Sequence, residues 1–211
     1  MTQSEHAARK AGGATALLVI DMQNDFVRPG APACVSGALA TVPAVVRVLE
    51  FFREREWPVF HVVREYRRDG SDAEITRMRE FTAGVPYVVA GTTGAEIVPE
   101  LTPADGEYLI IKSRFSAFLG TKLDFILRRL LVGTVVICGT QYPHCIRATA
   151  YDALSRDYHT IVLADATSAE TAEVAEANIR DMAGVGIQCL DFERFRTFIE
   201  DPRASQRRDR V

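Results

Sequence analysis

Cys145 is the side chain of this 211-residue sequence best placed to act as a nucleophile. It closes the segment TVVICGTQYPHC, where an apolar run gives way through a tight turn to a helix whose Pro143 suits the first helical position. A thiol in that first turn meets unpaired amides and the positive end of the helix dipole, which stabilise thiolate and lower its pKa. The same amides could hold a developing oxyanion. Lys112 ends YLIIK in a chain that carries 22 arginines and only three lysines, at positions 10, 112 and 122. An ammonium there either answers to a neighbouring carboxylate or simply reaches solvent from a strand end. Asp21 follows the four apolar residues LLVI, so it either faces a cleft with partners or caps a helix or turn. With Asp165 they are the four candidates at strand ends or in the turn just beyond one, where the crevice of an open parallel sheet lies.

The remaining candidates read more plainly. Asp165, in LADATSAET, is expected to cap or brace the following helix. Cys138 and Cys189, inside apolar strands, read as inert core thiols, and Cys34 as a loop thiol. His144 is adjacent to Cys145, and neighbours on a helix do not face each other. His61 lies within a strand with no second ligand at metal-binding spacing, so it reads as a core histidine. The chain has no G-x-S-x-G, no P-loop and no complete G-x-G-x-x-G.

The elements that must position these groups alternate. Strands are expected at Thr15 to Asp21, Pro58 to Arg64, Tyr108 to Lys112, Thr134 to Gly139, His159 to Ala164 and Gly186 to Leu190. Helices are expected at Thr41 to Glu56 and near Thr121 to Leu131, Pro143 to Arg156 and Thr171 to Ala183. Strands as apolar as LLVI and TVVIC have no wet face, which predicts a parallel sheet covered by helices on both sides. Residues 65–107 are the least regular stretch, with a short extended piece near Tyr87 to Ala90. With 47% hydrophobic residues, a net charge of −3 and no apolar run of membrane-spanning length, neither a bilayer nor a nucleic acid is the expected partner. Residues 1–13 read as a leader without signal-peptide features, 14–200 as one domain and 201–211 as an arginine-rich tail. Four scattered cysteines fit reduced thiols in a cytoplasm.

Three segments in order, ALLVIDMQNDF (16–26), IIKSRFSAFLGTKLDFILRRL (110–130) and VVICGTQYPHCIRATAYDAL (135–154), resemble the isochorismatase-like cysteine hydrolases. That superfamily includes nicotinamidases, N-carbamoylsarcosine amidases, and ureidoacrylate and biuret amidohydrolases. The resemblance implies a three-layer α/β/α fold with a six-stranded, mostly parallel sheet and a catalytic triad of Asp21, Lys112 and Cys145. It also implies a cis peptide between Thr140 and Gln141 and an oxyanion hole formed by the amides of Gln141 and Cys145. Phe26, Arg64, Phe118 and Tyr142 are expected to line the substrate pocket. Arg64 would clamp a substrate carboxylate or carbonyl, or else serve in a loop-bracing or intersubunit salt bridge. FHVVREYRRDG (60–70) lacks the D-x-H metal motif of nicotinamidases, so no metal or other cofactor is expected. A cysteine at 145 favours C–N hydrolysis of a small amide, ureido or carbamoyl compound. The alternatives are isochorismatase-type vinyl-ether cleavage and a silent binding protein that keeps the fold. Relatives of this kind assemble as dimers or tetramers, so a homo-oligomer is expected.

Overall fold

The computed structural model describes residues 13–200; residues 1–12 of the expected leader and the tail at 201–211 lie outside the described residues. Strands β1 (Ala14–Ile20), β2 (Val59–Arg64), β3 (Tyr108–Lys112), β4 (Val132–Gly139), β5 (His159–Thr167) and β6 (Gln188–Leu190) form a single sheet. Its order is β3-β2-β1-β4-β5-β6, and every pairing is parallel. The strand order reverses between β1 and β4, and in open sheets of this kind the ligand crevice opens beyond the carboxyl ends at that point.

Seven α-helices lie among the described residues: α1 (Asn24–Val27), α2 (Ala38–Glu54), α3 (Met78–Thr82), α4 (Leu123–Arg129), α5 (Arg147–Leu154), α6 (Ala172–Gly184) and α7 (Phe192–Glu200). Alternate residues of β1 serve opposite layers, as the two-residue period of a strand requires. Leu17 and Val19 pack with Val45, Leu49 and Phe52 of α2 and with Phe195 of α7. Ala16, Leu18 and Ile20 pack with Leu123 and Leu127 of α4, Ala150 and Ala153 of α5, and Met182 of α6. Both faces are dry, which explains why β1 carries no polar residue between Ala16 and Ile20. No described helix is long and apolar enough to cross a membrane.

Helix α7 was not among the elements expected from the sequence. Its Phe192 and Phe195 recur at helical spacing, and Phe195 stacks on Phe52 with ring centroids 6.0 Å apart. Asp165 also differs from expectation. It lies within β5, which runs on to Thr167, and its carboxylate accepts from the Phe192 amide at the start of α7 (3.0 Å). The helix that follows it, α6, is capped instead by Thr171, whose hydroxyl accepts from the Val174 amide.

The 65–107 segment is held down by the residues that follow β1. Asp25 accepts from the Val88 amide (2.6 Å), and Asn24 donates to the Thr93 carbonyl (2.8 Å). The extended piece near Tyr87 is a single parallel bridge between Tyr66 and Val89. Tyr66, Tyr87, Val88 and Ala95 form a small core of their own beneath the segment.

Candidate active site

Asp21 is the first residue beyond β1 and adopts φ +52°, a left-handed conformation that aspartate tolerates better than most residues. Its amide still bonds to the Val62 carbonyl (2.8 Å), so the turn begins with the residue anchored to the sheet. Lys112 is the last residue of β3, and its ammonium donates to Asp21 Oδ2 (2.8 Å) and to the Arg114 carbonyl (3.2 Å). Each residue is only 1% exposed, so the two charges depend on one another for solvation. Asp21 Oδ1 is also buried and has no hydrogen-bond partner among the described residues.

Cys145 arrives from the other side of the switch point. β4 ends at Gly139 (φ +113°), where a Cβ would sit 2.2 Å from the Ile20 carbonyl oxygen, so only glycine lets β4 close against β1 there. The Thr140–Gln141 peptide bond is cis. The chain then makes a wide π-type turn over Tyr142–Ile146 where an α-helical first turn was expected, and α5 starts only at Arg147. The amides of His144 and Ile146, flanking Cys145, both fold back on the Gln141 carbonyl (3.2 and 3.4 Å).

The thiol departs from expectation in its electrostatics. Burial, and then the charge of Asp21, push Cys145 above the ordinary thiol range, while Lys112 and Arg64 pull it down. The residue is 6% exposed, and burial together with the Asp21 charge outweighs the pull of the two cations. The resting centre is therefore a neutral thiol beside a carboxylate.

A cavity of about 330 Å³ opens on these groups, with Asp21, Cys145, Thr140 and Gln141 in its wall and the aromatic rings of Phe26, Tyr87 and Phe115 around it. Arg77, Glu80, His144 and Glu170 supply its polar edges. Phe26 and Arg64, two of the four residues expected in a pocket wall, line this cavity. Phe118 and Tyr142 do not. The Ala117 amide bonds to Thr149 on α5 (3.0 Å), which pins the Phe118 ring into the core against Tyr158. The Tyr142 amide is tied to the Ser168 carbonyl (3.0 Å), and its ring is fully buried in the same layer.

The Arg64 fork, expected to meet a substrate or a salt bridge, is filled from within the chain. Nη1 donates to Tyr66 Oη and to Glu74 Oε1, and Nη2 donates to the Arg114 carbonyl (3.2 Å) and to Cys145 Sγ (3.1 Å). Nε lies 3.9 Å from Asp21 Oδ2, and the guanidinium carbon sits 5.0 Å from the centre of the Phe115 ring. Gln23, wholly buried, grips the Arg64 peptide on both sides, accepting from its amide and donating to its carbonyl at 2.7 Å each. Burial disfavours the Arg64 charge, but Cys145, Asp21, Tyr66 and Glu74 outweigh it and hold its pKa above the ordinary value.

The other sequence candidates fall outside this centre or at its rim. His61 bonds to Glu107 (2.8 Å), and burial lowers its pKa. Among the described residues no group of three or more His, Cys, Asp or Glu could hold a metal ion. Cys138 is fully buried with a raised pKa, as expected of a core thiol. Cys189 is only partly buried, which still raises it to about 11. Cys34, read as a loop thiol, forms part of the cavity wall. Burial lowers the pKa of His144, helped by Arg77 and Arg64, which leaves a neutral imidazole at the cavity edge. Gln23, Tyr66, Glu74, Arg77, Glu80 and Phe115 were not singled out from the sequence. Gln23 stood in a quoted motif, but no local pattern tied it to Arg64.

The fold and the site define an α/β protein with an acid–ammonium pair and a thiol at the switch point of a parallel sheet. The chain belongs to the isochorismatase family: the Isochorismatase domain model matches residues 15–194. An isochorismatase family protein from Desulfovibrio vulgaris shares 52% identity with a TM-score of 0.87, over 89% of this chain and 99% of that one. A probable inactive nicotinamidase of Arabidopsis thaliana is 46% identical over 177 residues, 82% of this chain and 90% of its own length. The N-carbamoylsarcosine amidase of Thermoplasma acidophilum is 32% identical with a TM-score of 0.70, over 84% of this chain and 96% of that one. The expected family and the six-stranded α/β fold both stand, with the sheet parallel throughout.

Proposed function

We propose that the protein is a cysteine hydrolase that cleaves the C–N bond of a small amide, ureido or carbamoyl compound through a thioester. The observation that carries this reading is the Asp21 carboxylate, with one oxygen held by Lys112 and the other buried with no hydrogen-bond partner among the described residues, on a cavity wall shared with the Cys145 thiol. Asp21 Oδ1 accepts the thiol proton while Lys112 keeps the carboxylate in place. The sulfur attacks the substrate carbonyl carbon, and the amides of Gln141 and Cys145 meet the negative charge on its oxygen. Asp21, now protonated, gives its proton to the nitrogen as the C–N bond breaks and ammonia or an amine leaves. Asp21 then takes a proton from water, whose oxygen attacks the thioester. The C–S bond breaks, the acid departs, and sulfur regains its proton from Asp21.

A cavity of about 330 Å³ lies within the range of small-molecule sites and suits a compact substrate. A second reading, a silent member of the fold, is favoured by the name of the Arabidopsis thaliana relative. A screen for ammonia release over small amides, ureas and carbamoyl compounds separates the two, with Cys145→Ala as the blank. Turnover lost in Cys145→Ala and nearly lost in Asp21→Asn, together with an acyl adduct on Cys145 by mass spectrometry, is the expected result. Equal release by wild type and Cys145→Ala refutes the thioester route.

A further inference from the structure

The contact between Arg64 Nη2 and Cys145 Sγ (3.1 Å) is not used by the mechanism above. Four of the five donors of this guanidinium are already engaged: two on Tyr66 and Glu74, one on the Arg114 carbonyl and one on the sulfur. Its backbone is fixed by Gln23, and the residue is 3% exposed. A side chain so committed has little left for a substrate, but it already touches the reacting atom.

We propose that Arg64 is a further catalytic residue whose partner is the Cys145 sulfur itself, and that Glu74, Tyr66 and Gln23 are positioning residues that hold it there. The inference rests on the reading of Cys145 as the nucleophile. When the thiol proton passes to Asp21, negative charge leaves the carboxylate and appears on sulfur, directly against the guanidinium. A guanidinium does not lose its proton in proteins, so Arg64 stabilises the thiolate without quenching it, as a lysine in the same place could. The same contact serves the second half of the cycle, in which the breaking C–S bond returns its electron pair to sulfur. Glu74 balances the buried charge at rest and, through Tyr66, fixes the plane of the fork.

The test reads the thiol and not turnover: the pH dependence of iodoacetamide alkylation at Cys145, located by peptide mass spectrometry on the full chain. The charged and titratable groups facing this sulfur are Asp21, Lys112 and Arg64, with His144, Arg77, Glu80 and Glu170 around the cavity. Arg64→Met should raise the apparent pKa of alkylation by about one to two units, a roughly 10- to 100-fold slower reaction at a fixed pH below it. Arg64→Lys, which keeps the charge and loses the fork, should recover most of that shift. Glu74→Gln removes the counter-charge but keeps a side-chain oxygen to accept from Nη1 and an amide to bond Tyr66, so the fork stays placed and the profile should be unchanged or move down. A wild-type profile in Arg64→Met overturns the proposal. So do equal upward shifts in Arg64→Met and Glu74→Gln, the mark of a residue that only braces the 65–107 segment. If Arg64→Met does not fold, an upward shift in Glu74→Gln or no recovery of the wild-type profile in Arg64→Lys has the same force. A failed substrate screen leaves this result standing, and a null result here leaves the hydrolase reading standing.

Discussion

Replacing Lys112 by methionine tests the electrostatic centre without opening the cavity. The lysine side chain is fully buried, its ammonium lies 2.8 Å from Asp21 Oδ2, and the Asp21 side chain is 2% exposed. Methionine fills a similar volume but leaves the carboxylate without its main partner. Removing one member of a buried pair costs about 3–5 kcal/mol, because the remaining charge is left uncompensated. Arg64 Nε, 3.9 Å from the same oxygen, supplies part of the missing charge, so the lower end of that range is expected. At roughly 2–4 °C per kcal/mol for a domain of this size, the melting temperature should fall by about 6–12 °C. Urea unfolding followed by circular dichroism at neutral pH provides the measurement. Lys112→Met, Asp21→Asn and the double variant complete a thermodynamic cycle, in which the double variant should cost less than the sum of the singles by about 1–3 kcal/mol. A Lys112→Met cost below about 1 kcal/mol, or simple additivity, would mean that the pair is not the mutually dependent unit described here.

Glu107 provides a pH test away from the cavity. Burial alone would raise its pKa, but bonds from Arg53, the Ala104 amide and His61 outweigh it and hold the carboxyl at about 2, below its ordinary 4.5. A depressed carboxylate contributes stability that is complete above its unfolded value and is lost as pH falls through its folded one. Glu107→Gln should therefore cost about 1–3 kcal/mol at neutral pH, discounted because its Arg53 partner is partly open to solvent, and the gap to wild type should close toward about pH 2 in urea titrations. A gap independent of pH would contradict this assignment. Gly139→Ala should destabilise by about 3–5 kcal/mol, since a Cβ there meets backbone at 2.2 Å in a left-handed residue. Ordinary expression and a melting temperature near wild type in that variant would show that the β1–β4 closure has slack.

Much of the architecture is legible locally. A run such as LLVI, with no polar residue, cannot have a wet face, and that property alone implies a sheet covered on both sides. The irregular character of residues 65–107 was equally plain from their Gly, Pro and charged content. The pocket wall was not legible in the same way. Phe118 and Tyr142 stand beside reactive segments in the sequence, but the bond from the Ala117 amide to Thr149 and the tie of the Tyr142 amide to Ser168 turn both rings into the core. A loop-bracing salt bridge was one of the two roles open to Arg64, but Glu74 and Tyr66 lie in the segment whose conformation local pattern does not define, so its partners could not be named.

The alternation of elements and the strand ends near Asp21, Arg64 and Lys112 follow from local pattern, because each depends on residues a few positions apart, whereas the turn that carries Cys145 took a π-type form that local pattern did not specify. Tertiary structure alone decided the ionisation of the thiol, the partner of Arg64 and the shape of the cavity. Those depend on how far each group is withdrawn from water and which distant charges meet it there, and neither quantity is defined until the sheet has closed.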